Sequence, residues 1–198
     1  MFYEISKRFF DLLVGLTLLL ITWPILLLTV IAIKIEDGLS ASVLYKQIRI
    51  GKNNKPYYVY KFRSMQENAE KRGKAKWADR QDSRVTKTGV FIRKTRIDEF
   101  PQIINVLKGE MSFVGPRPER PLFVVELSEK IPYYPERHRV KPGITGWAQI
   151  YYPYGSSIKD AFEKLQYDLY YVKNYSIFLD IFILLQTAEV ILFGKGAR

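Results

Sequence analysis

The chain has 198 residues, enough for one domain beside any membrane segment, and Lys and Arg outnumber Asp and Glu 31 to 20, a net charge of +11. That excess suits anionic partners: nucleic acid, anionic lipid headgroups or phosphorylated substrates. Cysteine is absent and histidine occurs once, which excludes a disulfide framework and argues against a zinc site.

The first element is apolar. From Leu12 to Ile33 no residue is charged and most are Leu, Ile or Val, a run long enough for a helix to cross a bilayer core. A buried helix of a soluble domain is rarely apolar on every side. A cleaved signal peptide is the alternative, but its apolar core spans only ~7–15 residues and ends in small residues. Here Lys34, Ile35, Glu36 and Asp37 follow instead, so a retained membrane segment is expected. Lys7 and Arg8 precede it, and Lys34, Lys46, Arg49 and Lys52 follow. A simple span has one basic flank, on the cytoplasmic side. Near the middle stands Trp23-Pro24. Proline removes a backbone donor and kinks a helix. In lipid the freed carbonyl needs another donor, for which the Thr22 hydroxyl is the candidate. A kinked span and a bent helix that enters and leaves on one face both fit these residues.

Val43, Leu44, Tyr45 and then Tyr57, Tyr58, Val59, Tyr60 flank the turn-rich Gly51-Lys52-Asn53-Asn54-Lys55-Pro56, so Ser42–Phe62 reads as a β-hairpin. Gln66–Lys87 is polar and reads as a surface loop or short exposed helix. From Asp98 to Lys108 a helical period returns, with Phe100, Ile103, Ile104 and Leu107 on one face and Gly109 as its stop. Ser112–Pro121 and Arg137–Gly146 read as rigid loops. A helix follows with Ile158, Phe162, Leu165, Leu169 and Val172 in register. The last apolar stretch, Ile177–Phe193, is interrupted by Asp180, Gln186 and Glu189 and makes a poor span. It suits an amphipathic helix in the membrane interface, with Tyr170, Tyr171 and Tyr175 near headgroup level, or a helix packed on the core.

Three elements could carry chemistry. Asp98-Glu99 can cap the helix that follows, where the dipole favours negative charge. The same pair stands among Arg93, Lys94 and Arg96, and an ionised carboxylate there could serve as nucleophile or magnesium ligand. In Gly115-Pro116-Arg117-Pro118 the prolines restrict the backbone, so either a stiff turn carries a surface Arg or the guanidinium is aimed as a bidentate phosphate ligand. In Arg137-His138-Arg139-Val140-Lys141-Pro142-Gly143-Ile144-Thr145-Gly146, cations precede a loop whose amides could approach an anion. The lone His138 reads as structural rather than as a base. A nucleic-acid role is disfavoured, because the tyrosines cluster beside apolar segments rather than among Lys and Arg.

Six stretches in fixed order resemble the monotopic bacterial phosphoglycosyl transferases, the polyprenyl-phosphate sugar-phosphate transferases of glycan initiation, and the C-terminal part looks most like their exopolysaccharide members. They are Tyr60–Met65, Ile97–Gln102, Asn105–Ser112, Val114–Pro118, Lys141–Gln149 and Tyr167–Tyr171. The resemblance implies an α+β, mainly helical fold. A re-entrant membrane helix broken at Pro24 would occupy residues 1–36. Residues 37–198 would form a compact cytoplasmic catalytic region with interfacial amphipathic helices and a small β-hairpin, at the cytoplasmic face of the bacterial inner membrane. Family members usually break the helix at Ser-Pro, where this chain has Trp23-Pro24. The chain would be either the catalytic region of a longer protein or a minimal member.

The resemblance also implies a UDP-sugar donor, a polyprenyl (undecaprenyl) phosphate acceptor and magnesium. Asp98 is then the nucleophile and Glu99 its partner, both beside the metal. The reaction is ping-pong through a phosphosugar on Asp98, with release of UMP. Arg117 and Arg93 are the implied phosphate ligands, followed by Arg139, Lys141 and Asp168. The competing class is a membrane-anchored basic scaffold or anionic-lipid-binding protein without catalysis.

Overall fold

The apolar run forms the core of one long helix, α1, Phe2–Asp37, in a computed structural model that describes residues 2–66, 84–152, 155 and 157–193. Among the described residues it is the one helix long and apolar enough to cross a membrane. Helical structure continues across Pro24. The carbonyl that this proline leaves without an intrahelical donor belongs to Leu20, four residues back. The Thr22 hydroxyl does not serve it, because it donates to Leu18 O at 2.7 Å.

One stripe of α1 packs along the body of the protein. Val14, Leu18 and Leu19 meet the main core, and Leu26, Val30 and Ile33 meet Phe62 and Ile92. The opposite face leaves Leu13, Leu16, Leu20, Ile21, Trp23, Leu27, Leu28 and Ile31 exposed. Both ends are held by the same body. At the start, Lys7 pairs with the buried Asp180, and Asp11 accepts from Ser112 Oγ and Phe113 N. At the end, Glu36 accepts from Lys87 N and Thr88 N, the free amides of a second helix.

The expected hairpin is present. β1 (Leu44–Ile50) and β2 (Pro56–Phe62) pair antiparallel, from Leu44 opposite Phe62 to Ile50 opposite Pro56. Asn53 and Asn54 take the left-handed backbone conformation at its tip, which Asn tolerates better than most residues. The expected loop over Gln66–Lys87 lies outside the described residues except at its ends, where Met65 and Val85 form a bridge. Helix α2 (Lys87–Lys94) starts at Thr86, whose hydroxyl accepts from Gly89 N. A 3-10 turn at Ile97–Glu99 then leads into α3 (Gln102–Lys108). Ile103 and Val106 of α3 enter the core, whereas Ile104, expected on the same face, is 37% exposed.

The two stretches read as rigid loops contain a second sheet. β3 (Ser112–Val114) and β4 (Gly143–Thr145) pair in parallel. A Cβ on Gly143 would stand 2.1 Å from Gly115 N, and one on Gly115 would stand 2.3 Å from Lys141 O. Glycine is what lets these backbones touch. The glycines of the basic loop therefore serve strand pairing, and Gly143 N donates to Pro116 O rather than to an anion.

Helix α4 (Pro121–Lys130) and the short α5 (Trp147–Tyr151) lead to α6 (Ile158–Asn174), which a Ser157/Asp160 capping box starts. The buried face of α6 is Leu165, Asp168 and Tyr171, while Ile158 and Phe162 are exposed. The expected face is thus rotated so that two polar side chains point into the core. Tyr171, expected near headgroups, is buried there, whereas Tyr170 is half-exposed and stacks on Trp147. Helix α7 (Ile177–Phe193) packs one face on the core, as one of its two expected readings has it, and leaves the opposite face exposed. Ile183, Leu179 and Leu184 pack on the core, and Phe178, Ile181, Phe182 and Leu185 are exposed.

Candidate active site

The Asp98-Glu99 pair sits where three elements converge. Neither residue caps α3: both lie within the 3-10 turn, and Pro101 occupies the cap position with no side-chain bond. Arg96, in the left-handed conformation, turns the chain out of α2 so that the pair follows directly. Glu99 Oε1 accepts from Lys61 Nζ at 2.7 Å and from Arg117 Nη2 at 2.8 Å. Lys61 comes from β2, and its approach is set by the fully buried Asn105 of α3. That amide accepts from Tyr60 N and donates to Tyr58 O and Glu110, which pins the strand to the helix.

The two carboxyls are driven in opposite directions. Burial alone would raise Glu99, but the Arg117 guanidinium and the Lys61 ammonium outweigh it and hold Glu99 well below the ordinary carboxylate range. Asp98 is 9% exposed and makes no hydrogen bond or ion pair with any described residue. Burial, and then the charge of Glu99, push it up, against the pull of Lys61, Arg93 and Arg96. Divergence within an adjacent pair is the usual mark of two carboxyls with different tasks.

The other expected residues are spread more widely. Arg93, in the last turn of α2, bears on Asp98 through its charge and has no partner among the described residues. Arg139 is exposed and pairs with Glu136 at 2.7 Å. Lys141 lies beside Arg8 over Gly109, at the opposite end of α3 from the pair. Burial and the Arg8 charge lower its pKa. Asp168 is 3% exposed and locked to Arg137 at 2.7 Å. Arg137 also donates to Arg117 O, so Asp168 reaches the site through two arginines. Lys61 and Asn105 were not singled out from the sequence, and Arg137 was read only as one cation of its loop, not as the partner of Asp168. Lys61 and Asn105 lie within the quoted motifs, but only the fold shows which of their neighbours face the pair.

His138 is 6% exposed, with Nδ1 2.6 Å from Asn54 Oδ1. An amide oxygen only accepts, so Nδ1 carries the proton and Nε2 is left as a buried acceptor without a partner among the described residues. Burial, with Arg137 alongside, pushes its pKa down from 6.5 to about 4. Below pH ~6.5 the unfolded chain gains a proton that the native state excludes. Stability should therefore fall between pH ~6.5 and about 4, by on the order of 3 kcal/mol if the whole shift counts. Melting temperatures across that range should show a shallower slope for His138→Gln. Identical slopes would remove His138 from the account.

For a metal the oxygen donors are suitable. Asp98 has both oxygens free of described partners, and Glu99 commits only Oε1. Magnesium is typically held by one or two carboxylates with substrate phosphates and water, not by a protein-only cage. Among the described residues no group of three or more metal-binding side chains converges.

Residues 2–194 match the family model described as bacterial sugar transferase. The chain is 45% identical, over 99% of its length, to the UDP-N-acetylgalactosamine-undecaprenyl-phosphate N-acetylgalactosaminephosphotransferase of Aeromonas hydrophila, and covers 46% of that protein. It is 42% identical to the sugar transferase EpsL of Bacillus subtilis (strain 168), with 98% of this chain and 91% of that protein aligned. It is also 42% identical to the UDP-glucose:undecaprenyl-phosphate glucose-1-phosphate transferase of Klebsiella pneumoniae, across 98% of this chain and 41% of that protein. The chain thus spans less than half the length of two of these three relatives.

Proposed function

This chain belongs to the bacterial sugar transferase family, and on that premise we propose that it moves a sugar phosphate from a UDP-sugar to polyprenyl phosphate and releases UMP. The observation that carries the chemistry is the asymmetry of the pair: Asp98 is buried and unpartnered, and Glu99 is held ionised by Lys61 and Arg117. In the first half-reaction an Asp98 carboxylate oxygen attacks the β-phosphorus. The bond from that phosphorus to the bridging oxygen breaks, UMP leaves as a dianion, and a phosphosugar remains on Asp98. In the second half a phosphate oxygen of polyprenyl phosphate attacks the same phosphorus and displaces the Asp98 carboxylate. No proton moves in either half. A general base is therefore unnecessary, in keeping with an inward-facing, neutral His138.

Arg117 and Arg93 meet the phosphoryl oxygens. When bound by Asp98 and Glu99, magnesium supplies further neutralisation of phosphate charge. A covalent intermediate suits one water-soluble substrate and one confined to lipid, since each uses the site in turn. The test is a panel of UDP-sugars with polyprenyl phosphate and magnesium, scoring UMP. Release with at least one donor is expected, and silence with all of them would favour the non-catalytic scaffold reading.

The site belongs at the cytoplasmic face of the inner membrane, with α1 entering and leaving by that face through a bend near Pro24. In support, Lys7 and Glu36, from the two ends of α1, bind one and the same body. The chain contains no cysteine, so single reporters are clean. Ile5 and Leu39, 62% and 86% exposed, are suitable positions on either side of the apolar run. Ile5→Cys and Leu39→Cys should both react with an impermeant maleimide from the cytoplasmic side. Reaction of Ile5→Cys from the opposite side only would restore an ordinary span.

A further inference from the structure

Helix α6 presents Asp168 and Tyr171 one turn apart on a buried face, and the two reach opposite ends of the segment Val114–Arg117. At the Arg117 end, Asp168 Oδ2 accepts from Arg137 Nε at 2.9 Å, and the same guanidinium donates through Nη2 to Arg117 O at 2.9 Å. Its third nitrogen donates to Tyr134 OH at 2.9 Å, and the Tyr134 ring lies 5.1 Å from the guanidinium carbon. Every arm of Arg137 is therefore committed. At the other end, Val114 O accepts from Lys7 Nζ at 3.2 Å and lies 3.1 Å from the Tyr171 hydroxyl. That hydroxyl has one proton, which it also offers to Asp180 Oδ1 at 2.7 Å. Between the ends, Gly115 N donates to Thr145 O, and Pro116 O accepts from Gly143 N. The backbone is held at both ends and in the middle, while the Arg117 side chain, 40% exposed, extends to Glu99.

We infer that Asp168 is a positioning residue, which acts through Arg137 to set where the Arg117 guanidinium stands. Burial and charge argue against direct contact with substrate: Asp168 is 3% exposed, and a carboxylate repels phosphate. Arg137 cannot stay buried without its counter-charge at low cost, so loss of Asp168 releases the group that grips Arg117 O. A displacement of about 1 Å at a phosphate ligand is enough to cost roughly a hundredfold in rate. Tyr171 plays the same part more weakly at Val114, beside Lys7 of α1, so the membrane helix and α6 share one support for the site. The inference rests on the proposed function, in which Arg117 meets phosphate.

The test uses the full chain in detergent or bilayer discs. Asp168→Asn should lower kcat/KM for the UDP-sugar ~30–100-fold, and Tyr171→Phe several-fold. In an Arg117→Ala background both effects should shrink to about twofold or less, because the residue they position is gone. Multiplicative losses would mean that Asp168 acts independently of Arg117 and would overturn the inference. If Asp168→Asn fails to fold, Arg137→Lys takes its place: it keeps the charge but cannot bridge Asp168 and Arg117 O, and the same collapse of effect is expected. If the wild-type chain releases no UMP from any donor, the function reading fails. The clamp is then judged by amide hydrogen exchange, which should rise over residues 111–120 in Asp168→Asn. Unchanged exchange there would overturn it.

Discussion

An Asp98→Asn variant is expected to release UMP at least ~10⁴-fold more slowly than wild type, while folding as well or better. The amide has nearly the shape of the carboxyl but cannot form the bond to phosphorus. The stability half of the prediction follows from the sign of the Asp98 shift. Its pKa is raised in the folded protein by burial and by Glu99. A carboxyl raised above its unfolded value destabilises the native state at every pH where it is ionised in both states. A neutral amide removes that penalty, and Asp98 has no described hydrogen-bond partner to lose. Activity and melting temperature should therefore part company, which a merely structural residue would not allow. The intermediate gives a second readout. Wild type incubated with donor alone should gain the mass of one phosphosugar, and Asp98→Asn should gain none. Wild-type rates in the variant would end the nucleophile assignment.

The local features were legible in the sequence, and the long-range pairings were not. The hairpin showed in Tyr57–Tyr60 against a Gly-Lys-Asn-Asn-Lys-Pro turn, and the apolar helix in a charge-free run rich in Leu and Ile. Asp98-Glu99 could be marked as a candidate because charge beside charge is visible in one dimension. What could not be read was how the two proline- and glycine-rich loops meet. Three-residue strands carry no period, and a parallel pairing of β3 with β4 depends on close approach at Gly115 and Gly143. The same limit hid the role of Asp168. On a helix whose apolar residues suggest another face, a buried carboxylate looks like a surface charge until Arg137 is placed beside it. Capping was a sound local expectation for Asp98, overridden because Asp98 lies within a 3-10 turn and Pro101 takes the cap position of α3.

Arg117→Ala should lower kcat/KM for the UDP-sugar by about 10²–10³-fold, or roughly 3–4 kcal/mol of transition-state stabilisation. Two effects act together. On the proposed function, the phosphoryl group loses a planar cation, on a residue whose carbonyl accepts from Arg137. Glu99 also loses the cation that does more to keep it ionised, since Arg117 lowers its pKa more than Lys61 does. With Lys61 alone opposing burial, Glu99 moves back towards the ordinary carboxylate range and becomes a poorer partner for a cation. Arg117→Lys separates the two contributions. It restores a positive charge near Glu99 but not the fork that can hold two phosphate oxygens at once. The Lys variant should therefore recover only part of the loss, with the remainder reporting geometry rather than charge. Full recovery by Lys would reduce Arg117 to a point charge. Activity of Arg117→Ala within about threefold of wild type would place the phosphate elsewhere, with Arg93 and Lys61 the next cations to test.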